Sequence, residues 1–233
     1  MVSAAAVIIG NEILSGKFTD ENSPWLARRL RSIGVDLARI HVIPDDVDVI
    51  ADTVRTMAGR FTHVFTSGGV GPTHDDVTFE GVARAFDVPI ERNVEIEAAL
   101  KKHMGANCTP AALRMADIPQ GTCLVGEGFP VLVCRNVVIL PGVPIYFRRK
   151  FDLFAQTLDG APMESDRLTT TMRESTIAAI LSEAAKRWPA VDIGSYPRVE
   201  TNPPSVIVTL DSRDAHQLSQ AREWLSPRLV PSS

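Results

Sequence analysis

The sequence predicts an α/β fold built on an open, mostly parallel sheet with helices on both faces, followed by a small α+β unit. Three observations carry this prediction. Ala4-Ala5-Ala6-Val7-Ile8-Ile9-Gly10 is continuously apolar and ends in glycine, the pattern of a strand buried on both faces of a parallel sheet. Strand-like and helix-like segments then alternate β-α-β-α-β-α with short connections, which is how a parallel sheet is wound. Beyond the linker-like Asp159-Gly160-Ala161-Pro162 the pattern shortens to β-α-β-β-α. The expected domains are residues 1–160 and 161–233.

After the first strand, Ser23-Pro24 reads as a helix N-cap with proline at the first helical position. Leu26, Leu30 and Ile33 follow at helical spacing, and Gly34 supplies the stop. Residues 35–43 read as a second strand. Asp45 or Asp46 caps the next helix, whose buried stripe is Val47, Ile50, Val54 and Met57. Residues 62–66 form a third strand that delivers the chain into a glycine loop. A helix starting near Asp76 then buries Phe79, Val82, Ala83 and Phe86. The stretch 91–121 is mixed, with one helix over residues 95–103. Residues 130–133 and 136–140 read as paired strands, and Pro141-Gly142-Val143-Pro144 as a turn before a helix over 146–158. In the second domain, 168–172, 191–196 and 206–210 read as strands. Ile177, Ile180, Leu181, Ala184 and Trp188 mark one amphipathic helix, and Ala215, Leu218, Ala221 and Leu225 the other.

Composition excludes several classes. With 45% hydrophobic and 22% charged residues over 233 positions, the chain has the make-up of a globular protein with a sizeable core. A net charge of -4 argues against a non-specific nucleic-acid binder. Cys108, Cys123 and Cys134 form no CxxC pair and read as ordinary thiols of a reducing compartment. Neither a signal-peptide pattern nor an apolar run of about 18 residues is present, so the expected location is the cytoplasm.

The strongest chemical signal is Ser67-Gly68-Gly69-Val70-Gly71-Pro72-Thr73. Glycines let the backbone approach a ligand, and N–H groups at a helix start cradle phosphate. A plain strand-to-helix turn is the alternative. Asp75 and Asp76 follow directly. Two carboxylates beside a phosphate cradle repel it unless a divalent metal mediates, Mg²⁺ above all, with Mn²⁺ or Co²⁺ also suited. The alternative is that Asp76 merely caps the next helix; one capping carboxylate and one near the metal is the expectation. Gly10, Asn11 and Glu12 follow the first strand at another carboxyl end, where sheets of this kind bind ligands. Asp20 and Asn22 read as turn and cap residues rather than ligands. His74 is the one histidine in a suggestive setting. Walker, G-x-S-x-G and H-E-x-x-H motifs do not occur, which disfavours serine-hydrolase and zinc-peptidase readings.

Taken in order, Gly10-Asn11-Glu12-Ile13-Leu14-Ser15-Gly16-Lys17, Asp20-Glu21-Asn22, Ile43-Pro44-Asp45-Asp46, the loop 68–76 with Val77-Thr78, and Pro141-Gly142-Val143-Pro144 resemble the MoaB/Mog (molybdopterin-binding) superfamily. The match is to the branch of the competence/damage-inducible protein A (CinA) N-terminal domain. Gly-Pro-Thr-His-Asp-Asp-Val-Thr-Phe-Glu is similar to the corresponding domain of eukaryotic-type FAD synthases. The resemblance implies a three-layer α/β/α fold and a homo-oligomer. It implies catalytic roles for Asp45 and Asp76, and ligand contacts that include Pro141 and Gly142. It implies divalent-metal-dependent cleavage of a nucleotide pyrophosphate of the ADP-ribose or FAD class. Molybdopterin binding or adenylyl transfer, and a non-catalytic nucleotide-binding module, are the alternatives. No segment resembles the amidohydrolase domain of longer CinA proteins or the adenylyl-transferring domain of FAD synthases, so neither activity is expected.

Overall fold

The computed structural model describes residues 2–230; Met1 and residues 231–233 of the two expected domains lie outside them. The chain divides into two compact units between Gly160 and Ala161.

The first unit is a six-stranded sheet covered on both faces. Its elements run β1 (Ser3–Ile9), α1 (Asn11–Leu14), α2 (Asn22–Ser32), β2 (Asp36–Ile43), α3 (Val47–Ala58), β3 (His63–Ser67), α4 (Thr78–Phe86), β4 (Ile90–Arg92), α5 (Val94–Met104), α6 (Pro110–Leu113), β5 (Asp117–Pro119), β6 (Cys123–Val125), β7 (Val131–Cys134), β8 (Val137–Leu140) and α7 (Pro144–Ala155). The strand order is β2-β1-β3-β8-β7-β6. The first four are parallel; β7 runs against them, and β6, antiparallel to β7, returns to their direction at the edge.

The apolar run of β1 is explained by its place between β2 and β3, where both faces need cover. Ala5, Val7 and Ile9 join Ile50, Val54, Phe79 and Val82 of α3 and α4 on one side. Ala4, Ala6 and Ile8 join Leu26, Leu30, Phe147 and Phe151 of α2 and α7 on the other. The second face is rich in edge-to-face aromatic pairs, with Phe65 centred 5.2 Å from Phe151 and Trp25 5.5 Å from Phe151. Helices α3 and α4 approach closely because α4 carries Gly81. A Cβ there would stand 2.3 Å from Ile50 Cγ2.

Several expected boundaries shift for identifiable reasons. Ser23 does not cap α2. Asp20 Oδ1 accepts the N–H groups of Asn22 and Ser23 at 2.9 and 3.0 Å, so the helix starts at Asn22, two residues before Pro24. Asp46, not Asp45, caps α3, accepting from Asp48 and Val49. Helix α4 begins at Thr78 rather than near Asp76, and no side chain caps it. Residues 11–14, after the first strand, form the short α1. The mixed stretch 91–121 also holds β5, which pairs antiparallel with β4 and is tied to it by Arg92 bonded to both Asp117 oxygens.

The second unit comprises β9 (Glu164–Thr170), α8 (Glu174–Arg187), β10 (Asp192–Arg198), β11 (Ser205–Ser212) and α9 (Ala215–Leu225). Its antiparallel sheet has the order β10-β11-β9. Alternate residues Val206, Val208 and Leu210 of β11 point into a core with Ile177, Ala184 and Leu218, as expected of a sheet covered on one face. No helix among the described residues is long and apolar enough to cross a membrane.

Candidate functional site

The carboxyl ends of β1, β2, β3 and β8 lie side by side, and the segments leaving them form one continuous surface. The glycines make this possible. Gly68 has φ +103°, and a Cβ on it would lie 2.2 Å from the Ile9 carbonyl oxygen. Gly69 has φ +64°, and its Cβ would lie 2.3 Å from Thr78 Oγ1. Only residues without a side chain fit this conformation at this distance. Gly142 rests on Gly68, where an added Cβ would be 3.2 Å from the Gly68 Cα. Gly10 is covered by the Glu12 carboxylate, with Oε1 only 2.5 Å from where a Cβ would stand.

The loop is pinned at both ends. Gly68 N donates to Leu140 O at 3.2 Å, Thr78 N donates to Gly69 O at 2.9 Å, and Thr78 Oγ1 donates to Gly68 O at 2.9 Å. Among the described residues, the N–H groups of Gly69, Val70 and Gly71 between these ties have no acceptor. Val70 packs its side chain into the core, and Pro72 and Thr73 are exposed. Consecutive unpaired amides on a glycine loop make a concave donor set for an anion.

The carboxylates divide into distinct roles. Asp76 folds back over Gly71 and accepts from Thr73 N at 2.8 Å and Thr73 Oγ1 at 2.5 Å through Oδ2. It shapes the loop, and neither it nor Asp75 caps α4. Asp75 is exposed, with 60% of its side chain open to solvent. His74 projects into solvent, 3.9 Å from Asp75 Oδ1. Asp45, half-buried at the end of β2, accepts the Asn11 N–H at 2.8 Å through Oδ2 and so joins the β1 and β2 loops. Among the described residues, no three His, Cys, Asp or Glu side chains gather as a metal-binding set. One or two carboxylates with phosphate oxygens are the usual Mg²⁺ donor set, and Asp75 and Asp76 beside the amide cradle fit it.

One residue of the site escaped sequence reasoning. Asn22, 5% exposed, is neither turn nor surface cap. Its Nδ2 donates to Ser67 Oγ at 2.9 Å and to Gly142 O at 2.7 Å, joining the start of the glycine loop to the turn after β8. Its place in the motif Asp20-Glu21-Asn22 was the only signal available.

A parallel sheet whose loops converge in this way, with an amide cradle flanked by aspartates, defines an α/β protein built to hold an anionic ligand at its carboxyl end. Residues 5–160 match the family model described as probable molybdopterin binding domain, and the chain belongs to that family. Residues 162–233 match the model for the FAD synthase middle domain. A protein of Archaeoglobus fulgidus is 32% identical over 92% of this chain and 93% of its own length. A probable FAD synthase of Caenorhabditis briggsae is 32% identical over 98% of this chain. The chain spans about half of that relative, 50% of its length. The crystal structure of CinA, of unknown function, from Thermoplasma acidophilum superposes with a TM-score of 0.62 at 32% identity, covering 66% of this chain and 96% of that one. These matches establish the resemblance to the MoaB/CinA-type superfamily read from the motifs.

Proposed function

We propose that the first unit is a divalent-metal-dependent hydrolase that cleaves the pyrophosphate link of a dinucleotide or nucleotide-sugar diphosphate, of the ADP-ribose or FAD class. The observation that carries this reading is the run of unpaired Gly69, Val70 and Gly71 amides with Asp75 and Asp76 beside it. The amides hold the diphosphate. Asp76 fixes the loop around it through Thr73, and Asp45 holds the Asn11 backbone that closes the opposite wall. Glu12, folded over Gly10, positions the attacking water. Asp75 and Asp76 would take the metal together with the phosphate oxygens, and the ion would neutralise charge developing at phosphorus. Water adds across the P–O–P link, giving two phosphate monoesters.

The test is phosphate and AMP release from FAD, ADP-ribose, NAD and ATP with Mg²⁺, Mn²⁺ or Co²⁺. Cleavage of a dinucleotide that is lost in Asp76→Ala supports the reading; wild-type turnover in Asp76→Ala overturns the mechanism. A second reading, molybdopterin binding with adenylyl transfer, is favoured by the family description of residues 5–160. It predicts molybdopterin retention and ATP-dependent adenylyl transfer, and absence of both removes it. A cytoplasmic homo-oligomer with Cys108, Cys123 and Cys134 kept as thiols belongs to the same proposal, and light scattering of the purified chain tests the assembly.

A further inference from the structure

A lysine fastens the connection between β6 and β7, Gly126-Glu127-Gly128-Phe129-Pro130, to α7. Lys150 donates from Nζ to the Pro130 carbonyl and, at 3.2 Å, to the Phe129 carbonyl. The same Nζ stands 4.9 Å from the centre of the Phe129 ring, within cation–π range. That ring also meets His103 of α5, with centroids 5.9 Å apart. Gly126 lies so close to α7 that a Cβ on it would stand 2.4 Å from Leu153 Cδ2. Gly126 and Gly128 have φ +89° and +76°, so the connection has little stiffness of its own and keeps its course through these contacts.

Among the described residues no carboxylate pairs with Lys150; its partners are two carbonyls and a ring. The side chain is half-buried. Loss of water without a counter-ion penalises the ammonium, and the amine is lowered to about 8 from its ordinary 10.5. About a tenth of it is therefore uncharged at pH 7, against about one part in three thousand for an ordinary lysine. The uncharged amine keeps both carbonyl bonds and still presents a lone pair, the form that attacks an activated acyl carbon. Of the other four lysines, Lys17, Lys102 and Lys186 are exposed and Lys101 is paired with Glu97.

We propose that Lys150 is an acylation site, modified at Nζ by an acyl donor of the acyl-phosphate class, and that acylation unfastens the β6–β7 connection from α7. The nitrogen lone pair adds to the acyl carbon, the C–O bond to phosphate breaks with its electron pair on the departing phosphate, and the nitrogen gives one proton to solvent. The product amide carries a single N–H and no charge. It serves only one of the two carbonyls, and its attraction to the Phe129 ring is lost. The proposal is independent of the diphosphate reading, since the glycine loop and its carboxylates take no part in it.

The test is incubation of the full chain with acetyl phosphate at pH 8, followed by peptide mass spectrometry and amide hydrogen exchange. Lys150 should be acetylated several times faster than Lys17, Lys102 and Lys186. Peptides covering β6 and β7 should lose about tenfold in protection in the acetylated chain, the worth of one carbonyl bond and the cation–π contact, while peptides from β1 keep theirs. Lys150→Gln should loosen the same peptides without the reagent. Lys150→Arg retains the charge and offers no amine, so its protection should be the same before and after treatment. Lys150 reacting no faster than the exposed lysines overturns the proposal. So does acetylation of Lys150 that leaves β6 and β7 as protected as before, or loosening of Lys150→Arg by the reagent, which would place the effect on another lysine.

Discussion

Replacing Asn22 tests whether one buried amide holds the ligand loops together. Asn22→Ala removes the bonds to Ser67 Oγ and Gly142 O at a position 5% exposed. A hydrogen bond contributes about 0.5–1.5 kcal/mol net, and a buried group left without a partner costs about 1–3 kcal/mol. Gly142 is an exposed residue whose carbonyl can turn to water, but Ser67 Oγ, on a residue 2% exposed, loses its donor. One lost bond plus one stranded hydroxyl oxygen comes to about 2–4 kcal/mol. Asn22→Asp sharpens the argument, since the shape is kept and only the donor is exchanged for an acceptor. A carboxylate oxygen would then face the Gly142 carbonyl, and the cost should equal or exceed that of alanine. Amide hydrogen exchange read on peptides from β3 and β8 reports the first unit alone. There 2–4 kcal/mol appears as a protection loss of about 30- to 1,000-fold. If Asn22→Asp keeps wild-type protection, the assignment of the amide nitrogen to these two acceptors is wrong.

Gly68→Ala should weaken nucleotide binding by more than tenfold in a titration, because a left-handed backbone costs about 1–2 kcal/mol for a non-glycine residue and Ile9 O stands 2.2 Å from the new Cβ. Gly105→Ala is the control: its φ is also positive, nothing lies within 4 Å of its Cβ, and nucleotide binding should be unaffected. Asp46→Ala should cost about 1 kcal/mol in urea unfolding through its lost cap without altering affinity, whereas Asp45→Ala, which releases Asn11, should lower affinity. Burial pushes Lys150 down to about 8 from its ordinary 10.5. The unfolded chain therefore binds the extra proton across that window, and the folded state gains stability as pH rises from about 8 to 10.5. Urea midpoints measured at both pH values should show a rise that Lys150→Met diminishes.

What the sequence revealed followed from the strength of local signals. The run of β1 stands out because it is continuously apolar and buried on both faces, and the stripe Ile50, Val54 and Met57 of α3 because its burial repeats with the helical period. Strands β4, β5 and β6 have three residues each, too few for any period to register. The glycine loop was visible because glycine has no substitute in that conformation. The role of Asn22 was not, since its partners lie 45 and 120 positions away and its polarity argues for the surface. Asp76 misled for a related reason. An aspartate before a helix reads as its cap, but the Thr73 amide and hydroxyl compete for the same carboxylate and win.

The strand order β2-β1-β3-β8 has a consequence for how the molecule is made. β1 leaves the ribosome first, yet its neighbours are β2 and β3, and β3 is completed only by β8, which ends at Leu140. Apolar residues of β1 therefore wait for partners synthesised well over a hundred residues later in the case of α7, whose Phe147 and Phe151 close that face. Pairings of such sequence separation form slowly, and a nascent chain in this state displays unpaired strand edges. The order of synthesis leaves one face of β1 without its α7 cover until Phe147 and Phe151 have been made.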